Sequence, residues 1–297
     1  MRQLFIQPIE TIDHLSKEQF LNHYYKLQIP VIVKGAAKDW PAYSKWSFEY
    51  IKIQGKDKIV PLYDNSKVDA SRKVNEPVAS MPLAEYIDLL LAGDSTYRIF
   101  LYNLMKEIPQ LKDDIVYPDL GVSLLRSMPM LFFAGAGSRV FMHYDIDLGN
   151  IYHYHFAGYK TALIAPPSAR QYIYHVPFST ICLEEIDFEN PDFEKYPALK
   201  KITFYHAELQ HGDMLYMPEG WWHYMRYDTA GFSLALRSVP HKLPHLAEAV
   251  SNIFIVRHLD NLFRTAFGNR WIQFKNEYAY KRMAKWHNQT DILINQT

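Results

Sequence analysis

The chain has 297 residues, 48% of them hydrophobic, and its 32 basic and 32 acidic residues cancel to a formal net charge of zero. That length and apolar share support a sizeable core and argue against disorder over most of the chain, while the balanced charge points to no general nucleic-acid or membrane surface. Cys182 is the single cysteine, which excludes an internal disulfide and suits a reducing cytoplasm.

In chain order, the N-terminal MRQLFIQPIETIDHL is interrupted by Pro8, Glu10 and Asp13 and lacks the apolar run of a secretory signal. No stretch approaches the roughly 18 consecutive apolar residues of a membrane helix, so a soluble chain is expected. Ser16 followed by Gln19 has the form of a capping box, and Phe20, Tyr24 and Leu27 continue at helical spacing, which predicts a helix over 17–27. Pro30-Val-Ile-Val33 reads as a strand, Trp40-Pro41 as a loop, and Ser47 as the cap of a brief helix ending near Gly55. A strand is expected over Lys58–Tyr63. Met81-Pro82-Leu83 opens a helix with proline at its first position. Leu83, Tyr86, Leu89 and Leu90 form its buried stripe, Gly93 ends it, and Tyr97–Tyr102 follows as a strand.

From Pro129 to Val239 the pattern changes to short strands separated by glycine and proline. They are predicted near 129–134, 139–146, 150–165, 171–175, 202–209, 213–217, 222–227 and 231–239. Strands this short and this regularly spaced indicate a sandwich or barrel. A jelly roll, or double-stranded β-helix, is expected over 1–240, with helical elaboration at the N-terminus. After Pro240 the chain turns helical again, over 241–297. Leu246, Val250, Ile253, Leu259, Leu262 and Phe263 make an apolar surface wider than one stripe, and Gly268 is a stop. A second helix over 269–286 carries Trp271, Phe274 and Tyr278 on one face. Such surfaces pack onto the barrel or join two copies as a homodimer.

The residues that carry chemistry are His143-Tyr144-Asp145 and a distant His223. Side chains two apart on a strand share a face, so His143 and Asp145 reach one point in space. His223 follows a strand and a tight turn at Pro218–Gly220, which swings it towards the barrel axis with Trp221 and Met225 on its face and Trp222 and Tyr224 on the other. Two histidines and one carboxylate suit non-haem Fe(II) with open positions. His153-Tyr-His155 is a rival same-face pair that would suit a different metallocupin, a hydrolase or isomerase. By alternation, though, both histidines face away from Lys160. His175, His206 and His211 read as surface or turn residues.

His143-x-Asp145, Gly158-Tyr-Lys160 and the run from Gly212 through Gly220-Trp-Trp-His223 resemble the cupin-like JmjC-domain 2-oxoglutarate oxygenases, the family that includes the asparaginyl hydroxylase acting on hypoxia-inducible factor. Ile29–Lys34, Trp40-Pro-Ala42, Trp46-Ser47 and Asp187-Phe-x-x-Pro-Asp192 extend the likeness over roughly residues 1–240. The resemblance implies Fe(II) held by His143, Asp145 and His223, and 2-oxoglutarate as co-substrate. Its far carboxylate would meet Lys160, assisted by Tyr102, with Asn150 near the metal. A dianion in a barrel also needs a buried cation on physical grounds, because an unpaired buried charge is costly. Three departures stand out. The His143–Lys160 interval is two residues longer than usual, which implies a wider turn around Asp147–Gly149. Val140 stands where many members have threonine. Arg237 stands where an asparagine is found near the metal, and it is expected to clamp a carboxylate of 2-oxoglutarate or of the substrate. The implied activity is hydroxylation, with O2, of a C–H bond on a protein or peptide side chain or a small molecule. A metal-binding scaffold without catalysis is the alternative.

Overall fold

The computed structural model describes residues 3–65, 76–93, 95–100 and 102–294, with side chains to 283. Its strands, in chain order, are β1 (Phe5–Pro8), β2 (Thr11–Ile12), β3 (Val31–Val33), β4 (Ile59–Leu62), β5 (Ala79–Pro82), β6 (Arg98–Ile99), β7 (Met130–Ala134), β8 (Arg139–His143), β9 (Asn150–Ala157), β10 (Lys160–Ala165), β11 (Thr203–Leu209), β12 (Met214–Met217), β13 (Trp222–Tyr227) and β14 (Gly231–Ser238). Two sheets face each other. One has the order β1-β11-β10-β13-β8, the other β2-β3-β12-β9-β14-β7-β6, and β4 and β5 pair separately. This is the expected jelly roll, in which β8 and β13 become neighbours although they lie some eighty positions apart in the chain.

The alternation of side chains sorts the core into three layers. Ile151, Ala162, Ile164, Met225 and Ala235 point between the sheets and pack with Trp221 and Leu215. Tyr152, Tyr154, Phe156, Leu234 and Leu236 point out of the seven-stranded sheet and meet the N-terminal helices through Phe20, Tyr24, Trp40 and Trp46. Trp222, Tyr224, Leu163 and Ala165 point out of the five-stranded sheet. There they are covered by the 166–202 segment and by Ala249, Ala279 and Met283 of the C-terminal helices.

Local signals place most elements. The Ser16 and Ser47 side chains accept from the backbone N–H groups of Gln19 and Tyr50 and cap helices starting at Lys17 and Phe48. The first of these passes into a wider turn over Phe20–Tyr25. Gly93 (φ +78°) and Gly268 (φ +55°) end their helices as expected. Elsewhere the structure differs. Pro82 closes β5 and only precedes the helix Leu83–Ala92, whose buried face is Leu83, Tyr86, Ile87 and Leu90. Trp40-Pro41 begins a short helix, Pro41–Lys45, because proline at a first helical position gives up no hydrogen bond. The same property of Pro167 turns the chain into a tight helix over Pro167–Gln171, so no strand forms over 171–175. The strand expected over Tyr97–Tyr102 is confined to Arg98–Ile99, and Leu101 lies outside the described residues. The single strand expected over 150–165 is two strands in different sheets, broken at Gly158-Tyr159.

The C-terminal segment forms helices over Leu243–Ser251, Arg257–Phe267 and Asn269–Ile294, the first two joined by a wider turn. Trp271, Phe274 and Tyr278 stack along one side of the last. Among the described residues no helix is long and apolar enough to cross a membrane.

Candidate metal and co-substrate site

His143 and His223 are direct register partners across β8 and β13 and their rings lie 4.1 Å apart. Each imidazole bonds through Nδ1 to the carbonyl two residues before it, Phe141 at 2.7 Å and Trp221 at 3.1 Å. These bonds fix the tautomer in which Nε2 carries the free lone pair, which is how ligating histidines are oriented. Asp145 Oδ1 lies 3.7 Å from Nε2 of His143 and 3.9 Å from Nε2 of His223. Among the described residues these three alone form a His/Cys/Asp/Glu group compact enough to share an ion, with ligand atoms within 4.8 Å of one another.

Burial lowers the pKa of His143 and, with His143 beside it, pushes His223 down to about 3. Burial acts in the opposite sense on Asp145, but Arg237 and the two histidines outweigh it and hold the carboxyl at about 2. Neutral imidazoles and an ionised carboxylate are the protonation states a divalent cation needs. Two imidazole nitrogens and one carboxylate oxygen within reach of one point are a donor set that fits Fe(II).

Register carries the site deeper into the barrel. His143, His223, Ile164 and Tyr205 form one row across four strands. Two residues on, Met225, Ala162 and Ala207 form a second, and Tyr227, Lys160 and Leu209 a third. The metal row and the lysine row are thus four residues apart, roughly 13 Å at strand rise. Across the gap the opposite sheet contributes Ala235, paired with His153. Ala162 and Ala207 in that row and Ala235 opposite are short, and Met225 is the row's one long side chain.

Lys160 is almost wholly buried. Its Nζ bonds to His153 Nε2 at 2.8 Å and donates to the Tyr227 hydroxyl at 2.9 Å. Burial pushes the ammonium down to about 7, His153 well below its ordinary value and the Tyr227 phenol up. Both partners are therefore neutral, and neither supplies the negative charge that a buried ammonium requires.

His153 therefore faces Lys160, against the sequence expectation. Alternation fails here because the chain changes sheets at Gly158-Tyr159, so odd positions of β9 and even positions of β10 both point inwards. His155 bonds to Ser233 Oγ at 3.0 Å and to the Gly158 carbonyl at 2.8 Å, which occupies both ring nitrogens. His175, expected at the surface or in a turn, directly follows a turn but is buried and bonded to the Ser179 carbonyl.

Asn150 and Tyr102 sit apart from this group. Asn150 shares the outward face of β9 with Tyr152 and Tyr154, accepts from the Tyr216 hydroxyl at 2.8 Å and donates to the Val239 carbonyl. Tyr102 packs half-buried against the outer core. Arg237 does clamp carboxylates, but those of this chain. Its Nη2 donates to Asp145 Oδ2 at 2.5 Å and its Nη1 to both oxygens of Asp147 at 3.0 and 2.9 Å. Tyr227, which sequence reading passed over, was signalled by the period of two that links it to His223 and Met225. A cleft of about 260 Å³ borders the metal row, lined by Pro8, Gln28, Pro30, Tyr205 and Trp221 among others.

Residues 17–238 match the cupin-like domain family. The chain is 28% identical over 228 residues to lysine-specific demethylase 8 of Xenopus tropicalis, covering 74% of this chain and 50% of that protein. It is 27% identical over 244 residues to lysine-specific demethylase JMJ30 of Arabidopsis thaliana, covering 79% and 55%. It is also 25% identical over 246 residues to tRNA wybutosine-synthesizing protein 5 of Gallus gallus, covering 76% and 75%. The chain spans about half the length of these demethylase relatives. With the match over most of its length and a two-sheet jelly roll beneath it, the chain belongs to the cupin-like JmjC-domain family.

Proposed function

We propose that this protein is a 2-oxoglutarate- and Fe(II)-dependent dioxygenase that hydroxylates a C–H bond of a protein side chain or small molecule, and that it works as a homodimer. The observation that carries the reading is Lys160. It is a buried ammonium with neutral partners, on the same inward surface as the His143–Asp145–His223 group and separated from it by the row Met225, Ala162 and Ala207. A diacid of five carbons fits that gap, with one end at the metal and the other at the lysine. His143, Asp145 and His223 would hold the iron, which would supply the oxidation in which O2, 2-oxoglutarate and the substrate C–H bond become succinate, CO2 and the substrate C–OH. The chain's own groups do the rest. Backbone carbonyls hold the imidazoles with Nε2 forward, the barrel wall excludes water, and Lys160 neutralises the far carboxylate. The occupied nitrogens of His155 speak against the rival His153–His155 metal site.

The test is co-substrate decarboxylation. His143→Ala and Asp145→Ala should each abolish Fe(II)-dependent succinate formation, a loss greater than the roughly 10–100-fold that removing an outer-shell partner of a ligand costs. Succinate formed by either variant at the wild-type rate would overturn the ligand assignment.

A further inference from the structure

Arg237 and Asp147 form a latch on the metal-binding carboxylate, and its geometry is asymmetric. Asp145 presents Oδ1 to the two histidine Nε2 atoms, while its Oδ2 accepts from Arg237. The guanidinium is itself fixed by Asp147, which takes Nη1 with both oxygens and is oriented by the Gly149 backbone N–H. Arg237 comes from β14 in one sheet, while Asp145 and Asp147 follow β8 in the other, so the contact ties the sheets together where the ligand sits.

We infer that Arg237, locked by Asp147, is a positioning residue that keeps Asp145 a one-oxygen ligand. This rests on the oxygenase reading above. A six-coordinate ion held by two imidazoles and one carboxylate oxygen keeps three positions, two for the keto-acid end of 2-oxoglutarate and one for O2. A carboxylate free to turn about its Cβ–Cγ bond chelates through both oxygens and takes one of the three. The charge-assisted bond from Arg237 occupies Oδ2 and prevents this. It also leaves the guanidinium committed to the chain's own aspartates, so it clamps neither co-substrate nor substrate. The latch therefore raises co-substrate affinity while giving nothing to metal affinity, because it places a positive charge beside the cation.

The full-length protein loaded with Co(II), which does not turn over, separates these effects. Visible absorption reports the coordination, and calorimetry gives the affinities for Co(II) and then for 2-oxoglutarate. Arg237→Gln should bind Co(II) at least as tightly as wild type, alter the absorption band and weaken 2-oxoglutarate about tenfold, the equivalent of about 1.4 kcal/mol. Arg237→Lys should restore part of that loss. Asp147→Asn, which keeps the side-chain volume, should shift the band in the same direction with a severalfold weakening, and it decides the matter should Arg237→Gln not fold. Unchanged bands and unchanged 2-oxoglutarate affinity in these variants overturn the inference, as does loss of Co(II) in parallel with 2-oxoglutarate, which marks collapse of the site. A wild-type protein that binds no Co(II) defeats the oxygenase reading itself.

Discussion

Lys160 links burial to pH at the scale of a single residue. Its depressed pKa of about 7 comes from desolvation alone, so the free site gives up its proton near neutrality. Binding a dianion calls the proton back. Below about pH 7 the ammonium is already present and 2-oxoglutarate affinity should be flat. Above it, each bound molecule must draw in one proton, and affinity should fall towards about tenfold per pH unit. Calorimetry with the Co(II)-loaded protein between pH 6.5 and 8.5 measures the slope, and Lys160→Met should remove it along with most of the binding. A wild-type affinity that does not vary with pH would count against Lys160 as the anion's partner. At this scale His143 and Asp145 were legible as a pair from their spacing of two, although β8 ends at His143 and Asp145 lies just beyond it, whereas His223 joins them because the jelly roll pairs β13 with β8. Tyr227 was legible by the same rule, two positions beyond Met225. Asn150 was not placed by it, because a shift of one residue on a strand reverses the face, and resemblance alone does not fix register to one residue.

Elements were legible where the signal is local and obscure where it depends on another part of the chain. Ser16, Ser47, Gly93 and Gly268 act on their own neighbours, and the helix ends fall where those residues put them. The corner between β9 and β10 is different. Nothing in Phe156-Ala-Gly-Tyr-Lys160 says that the chain leaves one sheet for the other, since that depends on which strands lie beside it. Gly158 is what permits the corner. It has φ +83°, and a Cβ there would stand 2.3 Å from the Ala230 carbonyl oxygen and 2.8 Å from Gly231 Cα. Backbone, not a movable side chain, is in the way. Gly158→Ala should therefore lower the unfolding free energy by about 2 kcal/mol or more, combining left-handed strain with a clash. Urea unfolding followed by tryptophan fluorescence gives the figure, and a midpoint equal to wild type would show that the corner relaxes freely. A partly folded variant should lose 2-oxoglutarate before Co(II), because the corner carries Lys160 and none of the metal ligands.

At the scale of the whole molecule, the C-terminal helices are built inside out. Apart from Met283, their buried side chains among the described residues are small or polar: Ala249, Asn252, Asp260, Lys275 and Ala279. Asp260 is a hub, accepting from Lys275 at 2.6 Å, Trp271 Nε1 at 2.7 Å and Arg264 at 2.9 Å. Meanwhile Leu243, Val250, Phe254, Ile255, Leu262, Phe267 and Phe274 are each at least half exposed, and Ile255, Leu259 and Leu262 repeat at helical spacing. An apolar face of this extent is uncommon on a monomer. Asp260, Arg264 and Lys275 pair with one another on the inner side, and the apolar outer face suits another copy of itself, present at equal concentration. A two-fold pairing places that face against its own image and needs to cover roughly 1,200–2,000 Å² in total to be stable. Sedimentation at micromolar concentration should give the mass of two chains. Phe254→Glu combined with Leu262→Glu should give one, because two charges per chain would then be buried unpaired. The His143–Asp145–His223 group includes no residue of these helices, so the separated subunit should still bind Co(II) with wild-type affinity. A wild-type protein that sediments as one chain would leave the apolar face unexplained by self-association and remove the homodimer.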